Sequence, residues 1–301
     1  MDIAINTDYL TSRKSPEKYL RLAAEAGFTH LHWCHQWNTD YLYSTWEIAQ
    51  YKAWLKQYGL ALLDIHGSAG QEKCWYSPVE YERRSGVLLV LNRIIMQNEL
   101  EGTGCIMMHA PVFHSRSMTQ EAREVVQTQF EALKRSLDEL CPYLEKYKTR
   151  IAIENVPNDD FSNIARVMES YPEELLGITL DSGHAHIGDA RGLDFMEQHL
   201  DRLQALHLHD NNGSADQHQP PFYGTLDWER VARLVANSSY ASSGRPISFE
   251  LAMRNTPFFE AELETEQNEK NIRSFLSDAA ERCRRVDRMY REACRKNITG
   301  L

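Results

Sequence analysis

The chain has 301 residues, of which 33 are Lys or Arg and 43 are Asp or Glu, so its formal net charge at pH 7 is -10. This length can bury one large core or two ordinary ones. The acidic balance argues against a nucleic-acid partner, because it repels phosphate backbones. The sequence shows no apolar run that predicts a membrane helix and no signal-peptide pattern. Six cysteines without paired spacing suit a reducing compartment, so we expect a cytoplasmic protein.

Short apolar runs alternate with longer helical segments along the whole chain. The first helical segment opens with Ser15 and Pro16 and stops at Gly27, which are typical helix boundaries. The predicted strands cover residues 1–6, 30–34, 60–66, 105–109, 150–154, 176–181, 203–209 and 246–251. The predicted helices cover about 15–27, 44–58, 77–101, 119–147, 161–171, 193–200 and 227–236, and a long charged helical stretch ends the chain.

Eight strand-then-helix units in a chain of this length predict a (β/α)8 TIM barrel of the α/β class. The rival fold, a doubly wound open sheet, usually carries a glycine-rich phosphate turn after an early strand. The sequence contains neither G-x-G-x-x-G nor G-x-x-x-x-G-K. We therefore predict a single domain over residues 1–301, in which residues from about 260 to 301 form a C-terminal helical extension.

Side chains that bind metals lie at the ends of strands three to eight, where barrels of this kind carry their chemistry. They are His66, His109, Glu154, Asp181, His207 with His209, and Glu250, and Asp216 and His218 follow in the loop after strand seven. Carboxylates that converge on one axis repel each other and lose hydration, and a divalent cation removes that cost. Mixed carboxylate and imidazole ligands suit Zn²⁺, Mn²⁺, Co²⁺ or Fe²⁺. The pattern therefore predicts a metal site.

Two segments make this pattern specific. One is Leu180-Asp181-Ser182-Gly183-His184, and the other runs from His207 through Asp210 and Asp216 to His218, followed by 220–228 with the sequence PPFYGTLDW. In this order, the segments resemble the xylose isomerase-like TIM barrel superfamily, which contains sugar phosphate isomerases and epimerases and is related to endonuclease IV. The resemblance covers nearly the whole chain.

The resemblance implies a set of metal ligands for this chain. The ligands shared by the family fall on Glu154, Asp181, His207 and Glu250. His207 is preferred to His209 because the family histidine usually precedes an acidic residue by three positions, here Asp210, although both histidines point to one face of the strand. The further ligands of three-metal endonucleases fall on His66, His109, His184, Asp216 and His218. We expect one firmly held ion, with room for up to three.

Catalytic and substrate-binding roles also follow from the resemblance. Glu154 and Glu250 would exchange a proton with the substrate carbon, and His184 would orient a hydroxyl or stabilise an oxyanion. The substrate-binding candidates are Trp33, His35, His209 and Arg254. For residues 33–37 a packed loop is an equally good interpretation, and for Arg254 a surface salt bridge is the commoner role.

The sequence departs from the family pattern at three places. The aromatic pair Phe222 and Tyr223 replaces the first glycine of the usual P-P-G-x-G, and we expect it to reshape the pocket mouth. Gly213 stands where ketose 3-epimerases carry an arginine, and Ala69 stands where endonuclease IV carries a tyrosine that enters DNA. These departures count against a typical ketose 3-epimerase and against a DNA enzyme.

The resulting hypothesis is a divalent-metal-dependent isomerase or epimerase. It would act on a sugar, a sugar phosphate or a related polyol ketone through a metal-stabilised enediolate. Two alternatives stay open, a keto-sugar or keto-inositol dehydratase and a multinuclear phosphodiester hydrolase of the endonuclease IV type. The implied cofactor is Mn, Zn or Co, and the expected partner is a small sugar derivative, with neither nucleic acid nor membrane. The long C-terminal helix is compatible with a homodimer.

Overall fold

The computed structural model describes residues 2–11, 15–113, 118–188, 191–260 and 266–299. Eight parallel strands form one sheet in the order β7-β6-β5-β4-β3-β2-β1-β8. They are β1 Ile3–Asn6, β2 His30–Trp33, β3 Ala61–His66, β4 Ile106–Met108, β5 Ile151–Glu154, β6 Leu176–Asp181, β7 Leu203–His207 and β8 Ile247–Phe249. A parallel bridge between Leu208 and Phe249 joins the two ends of the sheet. The predicted single-domain (β/α)8 barrel is confirmed.

Helices connect the strands in the predicted order. They are α1 Glu17–Glu25, α2 Thr45–Tyr58, α3 Glu80–Glu99, α4 Gln120–Tyr147, α5 Ser162–Glu169, α6 Ser182–His186, α7 Arg191–Gln198, α8 Trp228–Ala236, α9 Ser239–Ser242 and α10 Glu266–Thr299. The predicted helices agree with these bounds within a few residues. The sequence pattern did not predict α6, which is a single short turn directly after β6. None of the described helices is long and apolar enough to cross a membrane.

Local sequence explains where the helices begin and end. Ser44 and Glu47 form a reciprocal capping box at the start of α2, and Gly59 ends that helix with a left-handed φ of 66°. The side chain of Asp227 accepts a hydrogen bond from the backbone N–H of Arg230 and caps α8. These caps fix the lengths of the helices and hence the points at which the strands emerge at the rim.

The C-terminal helix α10 packs against α1 and α8, so it belongs to the ring of helices around the barrel. Its inner face is fully buried and includes Phe275, Leu276 and Ala279. The helical segment that the sequence predicts from about residue 260 is described over Glu266–Thr299, and it packs on the barrel. An apolar stripe with helical spacing has to be buried, and here it covers the barrel between the first helix and the last. Residues 261–265 and 300–301 of that predicted segment lie outside the described residues.

The aromatic pair in the loop after β7 contacts α10. Arg285 lies 3.9 Å from the ring centroid of Phe222, and the Tyr223 hydroxyl donates to Asp278 at 3.0 Å. Asp210 holds the same loop, since its carboxylate accepts from the backbone N–H of Phe222 and from the indole N–H of Trp228. These contacts tie both rings to the helix, and the expectation that the pair reshapes the pocket mouth stays a prediction.

Alternation along the strands sends one set of side chains into the barrel. Cys105, Ala152 and Ala205 form a small cluster of buried apolar residues in its lower part. His32 pairs in register with Asp64, and Asp181 pairs in register with His207. Small side chains below therefore leave room for a layer of ionisable side chains at the carboxyl ends of the strands.

Candidate metal centre

Four side chains from four strands converge at the carboxyl end of the barrel. Each of Glu154, Asp181, His207 and Glu250 offers one ligand atom, and these atoms all lie within 4.8 Å of one another. Nδ1 of His207 is 2.6 Å from Oε1 of Glu154 and 2.9 Å from Oε2 of Glu250. All four residues are buried, with exposures between 0% and 9%. We call this set the central group.

Three buried carboxylates lie close together in the central group. Among the described residues, the groups that pair with them are imidazoles, and no Lys or Arg forms an ion pair with any of the three. Burial opposes ionisation of Glu154 most strongly, but the neighbouring His207 and His109 hold the pKa of that carboxyl well below its usual value. Ionised oxygens with so little counter-charge fit a divalent cation, which would replace their lost hydration.

The imidazole of His207 compensates the two glutamates in the absence of an ion. Burial favours its neutral form, but Glu250 and Glu154 together raise the pKa of His207 well above its ordinary value. The other ring nitrogen, Nε2, is buried without a hydrogen-bond partner among the described residues. The apo site therefore holds a proton where a metal ligand needs a lone pair.

A second group consists of His66, His109 and Glu154, whose ligand atoms again lie within 4.8 Å of one another. Nε2 of His109 is 2.6 Å from Oε2 of Glu154, so this glutamate belongs to both groups. The half-buried indole of Trp37 lies against His66 with its ring centroid 4.3 Å away, and its centroid is 5.7 Å from that of His109. Trp37 therefore forms an aromatic wall on this side of the centre.

A third group consists of His184, Asp216 and His218. The Asp216 carboxylate lies 3.3 Å from Nε2 of His184 and 3.0 Å from Nε2 of His218. Burial opposes the charge on His218, yet its bond to Asp216 raises the pKa of that imidazole to about 10. Burial also opposes ionisation of Asp216, but the two histidines lower the pKa of its carboxyl well below the usual range.

Backbone carbonyls orient three of these histidines. Nδ1 of His66 lies 2.8 Å from the Gly67 carbonyl, Nδ1 of His184 lies 3.0 Å from the Asn155 carbonyl, and Nδ1 of His218 lies 3.2 Å from the Glu250 carbonyl. An Nδ1–H that donates to a carbonyl leaves the Nε2 lone pair for a metal ion. The histidines are thus positioned as metal ligands usually are, with one ring nitrogen fixed and the other facing the group.

His209 lies behind the central group rather than on its open side. Its Nε2 is 3.1 Å from Oδ2 of Asp181, and its ring stacks on His218 with the centroids 4.0 Å apart. A Cβ placed on Gly183 would come within 1.9 Å of the His209 ring, so only glycine permits this packing. With an exposure of 0%, His209 is placed to orient Asp181, and this differs from the substrate contact expected from the sequence.

The other predicted substrate contacts are also not brought to the centre. Trp33 is 1% exposed and packs on Tyr51 of α2 with ring centroids 4.6 Å apart, because alternation turns it outward from β2. His35 is buried beside Trp33, and burial lowers its pKa to about 4. Arg254 is exposed in a 3-10 turn after β8, and within the described residues it makes no ion pair. None of the groups of possible metal ligands among the described residues contains Trp33, His35 or Arg254, and their substrate-binding role stays a prediction.

The sequence reasoning missed several residues that the structure brings to the centre. Trp37 was seen only as part of an aromatic cluster, and His32 and Asp64 were not singled out. The available signal was the alternation of His30, His32 and Cys34 along β2, because residues two apart in a strand lie on the same face, here the face that lines the barrel interior. Asn155 was also missed, although its side chain bonds to the backbone N–H and C=O of Asp181.

Comparison with known proteins shows the family to which this chain belongs. A family model described as "Xylose isomerase-like TIM barrel" matches residues 20–287, and the chain belongs to that family. It is 30% identical over 256 residues to the uncharacterized protein y4fM of Sinorhizobium fredii (strain NBRC 101917 / NGR234), and the match covers 78% of this chain and 80% of that protein.

Solved structures agree with this family. A D-tagatose 3-epimerase-like protein matches with a TM-score of 0.70 at 19% identity, covering 99% of this chain and 100% of that one. The IolI protein, whose structure has a bound zinc atom, matches with a TM-score of 0.66 at 13% identity, covering 97% and 99%. At these identities the likeness shows the shared fold. Several sugar epimerases are among the structural neighbours.

Proposed function

We propose that this protein is a divalent-metal-dependent enzyme that isomerises or epimerises a sugar or a sugar derivative. The observation that carries the proposal is the central group, in which Glu154, Asp181, His207 and Glu250 bring four ligand atoms within 4.8 Å of one another. Family membership and the sugar epimerases among the structural neighbours support the substrate class. A bound divalent ion would act as a Lewis acid on an oxygen of the substrate and so acidify a neighbouring C–H.

The protein's own residues would then move the proton. Glu154 and Glu250 both lie beside His207, and although burial opposes their charge, His207 keeps the pKa of each carboxyl well below its usual value. Both are therefore ionised at neutral pH, and either one can accept a proton from the substrate carbon. Because Glu154 ends β5 and Glu250 directly follows β8, they can approach a substrate from different sides.

His184 is placed to assist as a hydrogen-bond donor. Burial opposes its charge, but Asp181 and Asp216 raise the pKa of His184 well above its ordinary value. By exchanging its Nε2 contact with Asp216 for a contact with substrate, an imidazolium at this position would hold a substrate hydroxyl or stabilise a developing oxyanion. Trp37, which lies against His66, offers a flat apolar surface that suits the C–H face of a sugar ring.

The test is elemental analysis of the protein as purified, together with Glu154→Gln, followed by assays on a panel of ketoses, keto-sugars and keto-inositols. Solvent deuterium incorporation at the carbon next to the carbonyl would report proton exchange directly. We expect bound Mn, Zn or Co in the native protein, loss of that metal in Glu154→Gln, and deuterium incorporation by the native protein alone. A metal-free native protein that takes up none of these ions on dialysis would contradict the proposal.

A keto-sugar or keto-inositol dehydratase remains a second candidate, because it needs the same ionised carboxylates followed by loss of a hydroxyl. The product distinguishes the two, since dehydration lowers the substrate mass by one water, whereas isomerisation leaves it unchanged. The same panel, read by mass spectrometry, therefore decides between them.

One observation also favours a multinuclear phosphodiester hydrolase. Besides the central group, His66, His109 and Glu154 form a second cluster and His184, Asp216 and His218 form a third. Three groups of ligands could hold more ions than an isomerase needs. Hydrolysis of a phosphodiester by protein with two or three bound ions, without deuterium exchange into any sugar, would favour this candidate.

A further inference from the structure

A buried histidine and aspartate lie beneath the central group and are not used by the proposed function. Nδ1 of His32 is 2.7 Å from Oδ1 of Asp64, and both residues are 0% exposed. The two side chains come from neighbouring strands, β2 and β3, whose register places them side by side. Within the described residues, no Lys or Arg pairs with Asp64.

The ring nitrogen of His32 that does not contact Asp64 is Nε2. Nε2 of His32 is buried and makes no hydrogen bond within the part of the chain that the structure describes. A buried polar atom without a hydrogen-bond partner lowers the stability of the fold, so packing alone does not explain a His–Asp pair at this position. Such an atom is a sign that something absent from the bare chain completes its bonding.

His32 faces ligands of the central group. Its ring centroid is 4.2 Å from that of His207, and it is 6.1 Å from that of His66, which belongs to the second group. His32, His207 and Glu250 each offer a ligand atom, and these three atoms lie within 4.8 Å of one another. Because Asp64 takes Nδ1, the nitrogen that His32 has left to offer is Nε2.

We propose that His32 is an additional ligand of the ion held by His207 and Glu250, with Asp64 fixing the tautomer of His32. The carboxylate accepts the Nδ1–H, and this leaves the Nε2 lone pair for the ion. A carboxylate behind a metal-bound imidazole orients the ring and raises its basicity. This inference rests on the proposed function only in that both need a divalent ion at the central group.

The experiment measures binding rather than turnover. Apo protein is titrated with Co²⁺ in the presence of a chromophoric chelator, for the native chain, His32→Gln, Asp64→Asn and the matched control His30→Gln. His30 precedes His32 by two residues on β2, is partly buried, and bonds to the hydroxyl of Thr29 at 2.9 Å. Circular dichroism and thermal unfolding establish that each variant folds.

We expect His32→Gln and Asp64→Asn each to weaken the tightest Co²⁺ site by about 10- to 100-fold, which is the usual effect of losing such support. His30→Gln should stay within about twofold of the native affinity, because no candidate group contains it. The visible absorption of bound Co²⁺ should also change in His32→Gln, since its intensity depends on the number and geometry of the ligands.

A measurement on the native protein tests the inference even where a variant fails to fold. The Nδ1–H of a Co²⁺-bound histidine gives an exchangeable, strongly shifted proton signal, and Asp64 should protect that of His32 from solvent. Folded His32→Gln with native affinity and an unchanged spectrum would overturn the inference while leaving the sugar chemistry untouched. Conversely, the Co²⁺ site can be weakened and spectrally altered in His32→Gln while the native protein exchanges no sugar proton. That result would reject the proposed function alone.

Discussion

Nδ1 of His207 lies 2.6 Å from Oε1 of Glu154, and this contact joins strand β7 to strand β5 across the carboxyl end of the barrel. The two side chains hold one proton between them when no ion is present. The same atoms are those that a divalent ion would need. Metal binding and protonation therefore compete for one site, and this competition leads to the first prediction.

Metal affinity should rise with pH across the neutral range. The glutamates raise the pKa of His207 well above its ordinary value despite burial, so His207 is protonated at neutral pH in the apo protein. Only the neutral imidazole binds a metal, so each ion must displace that proton. Titration with Zn²⁺ in weakly buffered solution should release protons, and the dissociation constant at pH 6 should be about tenfold or more above that at pH 8. Equal constants at the two pH values would show that His207 is already neutral.

Metal binding at the third group should be separable by mutation from metal binding at the central group. Asp216 bridges His184 and His218, with oxygen to nitrogen distances of 3.3 Å and 3.0 Å. Asp216→Asn should therefore abolish the binding of additional, weakly held metal ions and should retain the most tightly bound ion. Equilibrium dialysis measures both. Asp201→Asn, an exposed carboxylate in a 3-10 turn, is the control and should behave as the native protein. Loss of the tightest equivalent in Asp216→Asn would contradict this division of the site.

Trp37 should act on substrate binding and not on the metal. Its indole lies against His66 at 4.3 Å but offers no ligand atom. We expect Trp37→Ala to raise KM by roughly 2- to 10-fold, the range of one aromatic contact, with unchanged metal affinity. Trp46→Ala is the matched control, because Trp46 is 72% exposed on α2. Steady-state kinetics on the substrate found in the panel would test this, and weaker metal binding in Trp37→Ala would count against it.

Gly183 and His209 should be energetically coupled. A Cβ at position 183 would meet the His209 ring at 1.9 Å, so Gly183→Ala must push the ring away from Asp181. We expect a loss of about 1–3 kcal/mol in the free energy of unfolding, as for overpacked cores, and weaker metal binding. Removing the ring with His209→Ala removes the clash, so the double variant should be no less stable than His209→Ala alone. Denaturant unfolding of the four proteins tests this, and additive losses would exclude the coupling.

His35 should contribute to acid sensitivity. Burial lowers its pKa from 6.5 to about 4, so native His35 stays neutral while the unfolded chain binds a proton. Stability from this residue is therefore complete above about pH 6.5 and falls as the pH drops towards 4, by up to roughly 3 kcal/mol. His35→Gln should flatten the pH dependence of unfolding in this window. Parallel curves for His35→Gln and the native protein would contradict the argument.

Much of the fold was predictable from local signals. Each strand was found as a short apolar run between helices, and boundaries such as the Ser44 cap and Gly59 stop of α2 follow from side-chain chemistry within a few residues. The short helix α6 was missed because the carboxylate of Asp181 caps it, and the same residue had been interpreted only as a metal ligand. The C-terminal helix was expected from the sequence, but its packing on the barrel was not, because its charged composition hid a buried stripe that includes Phe275 and Leu276.

The sequence by itself determined the order of the barrel and the residue types at the rim, because strand periodicity and strand-end chemistry are local properties. Only the tertiary structure decided which neighbours share a site. It places His207 between Glu154 and Glu250, turns Trp33 outward to α2, and brings His32 and Asp64 beneath the centre. The physical reason is that contacts across the barrel depend on register, on twist and on which face each side chain occupies. These quantities are set by closure of the whole ring rather than by any single strand.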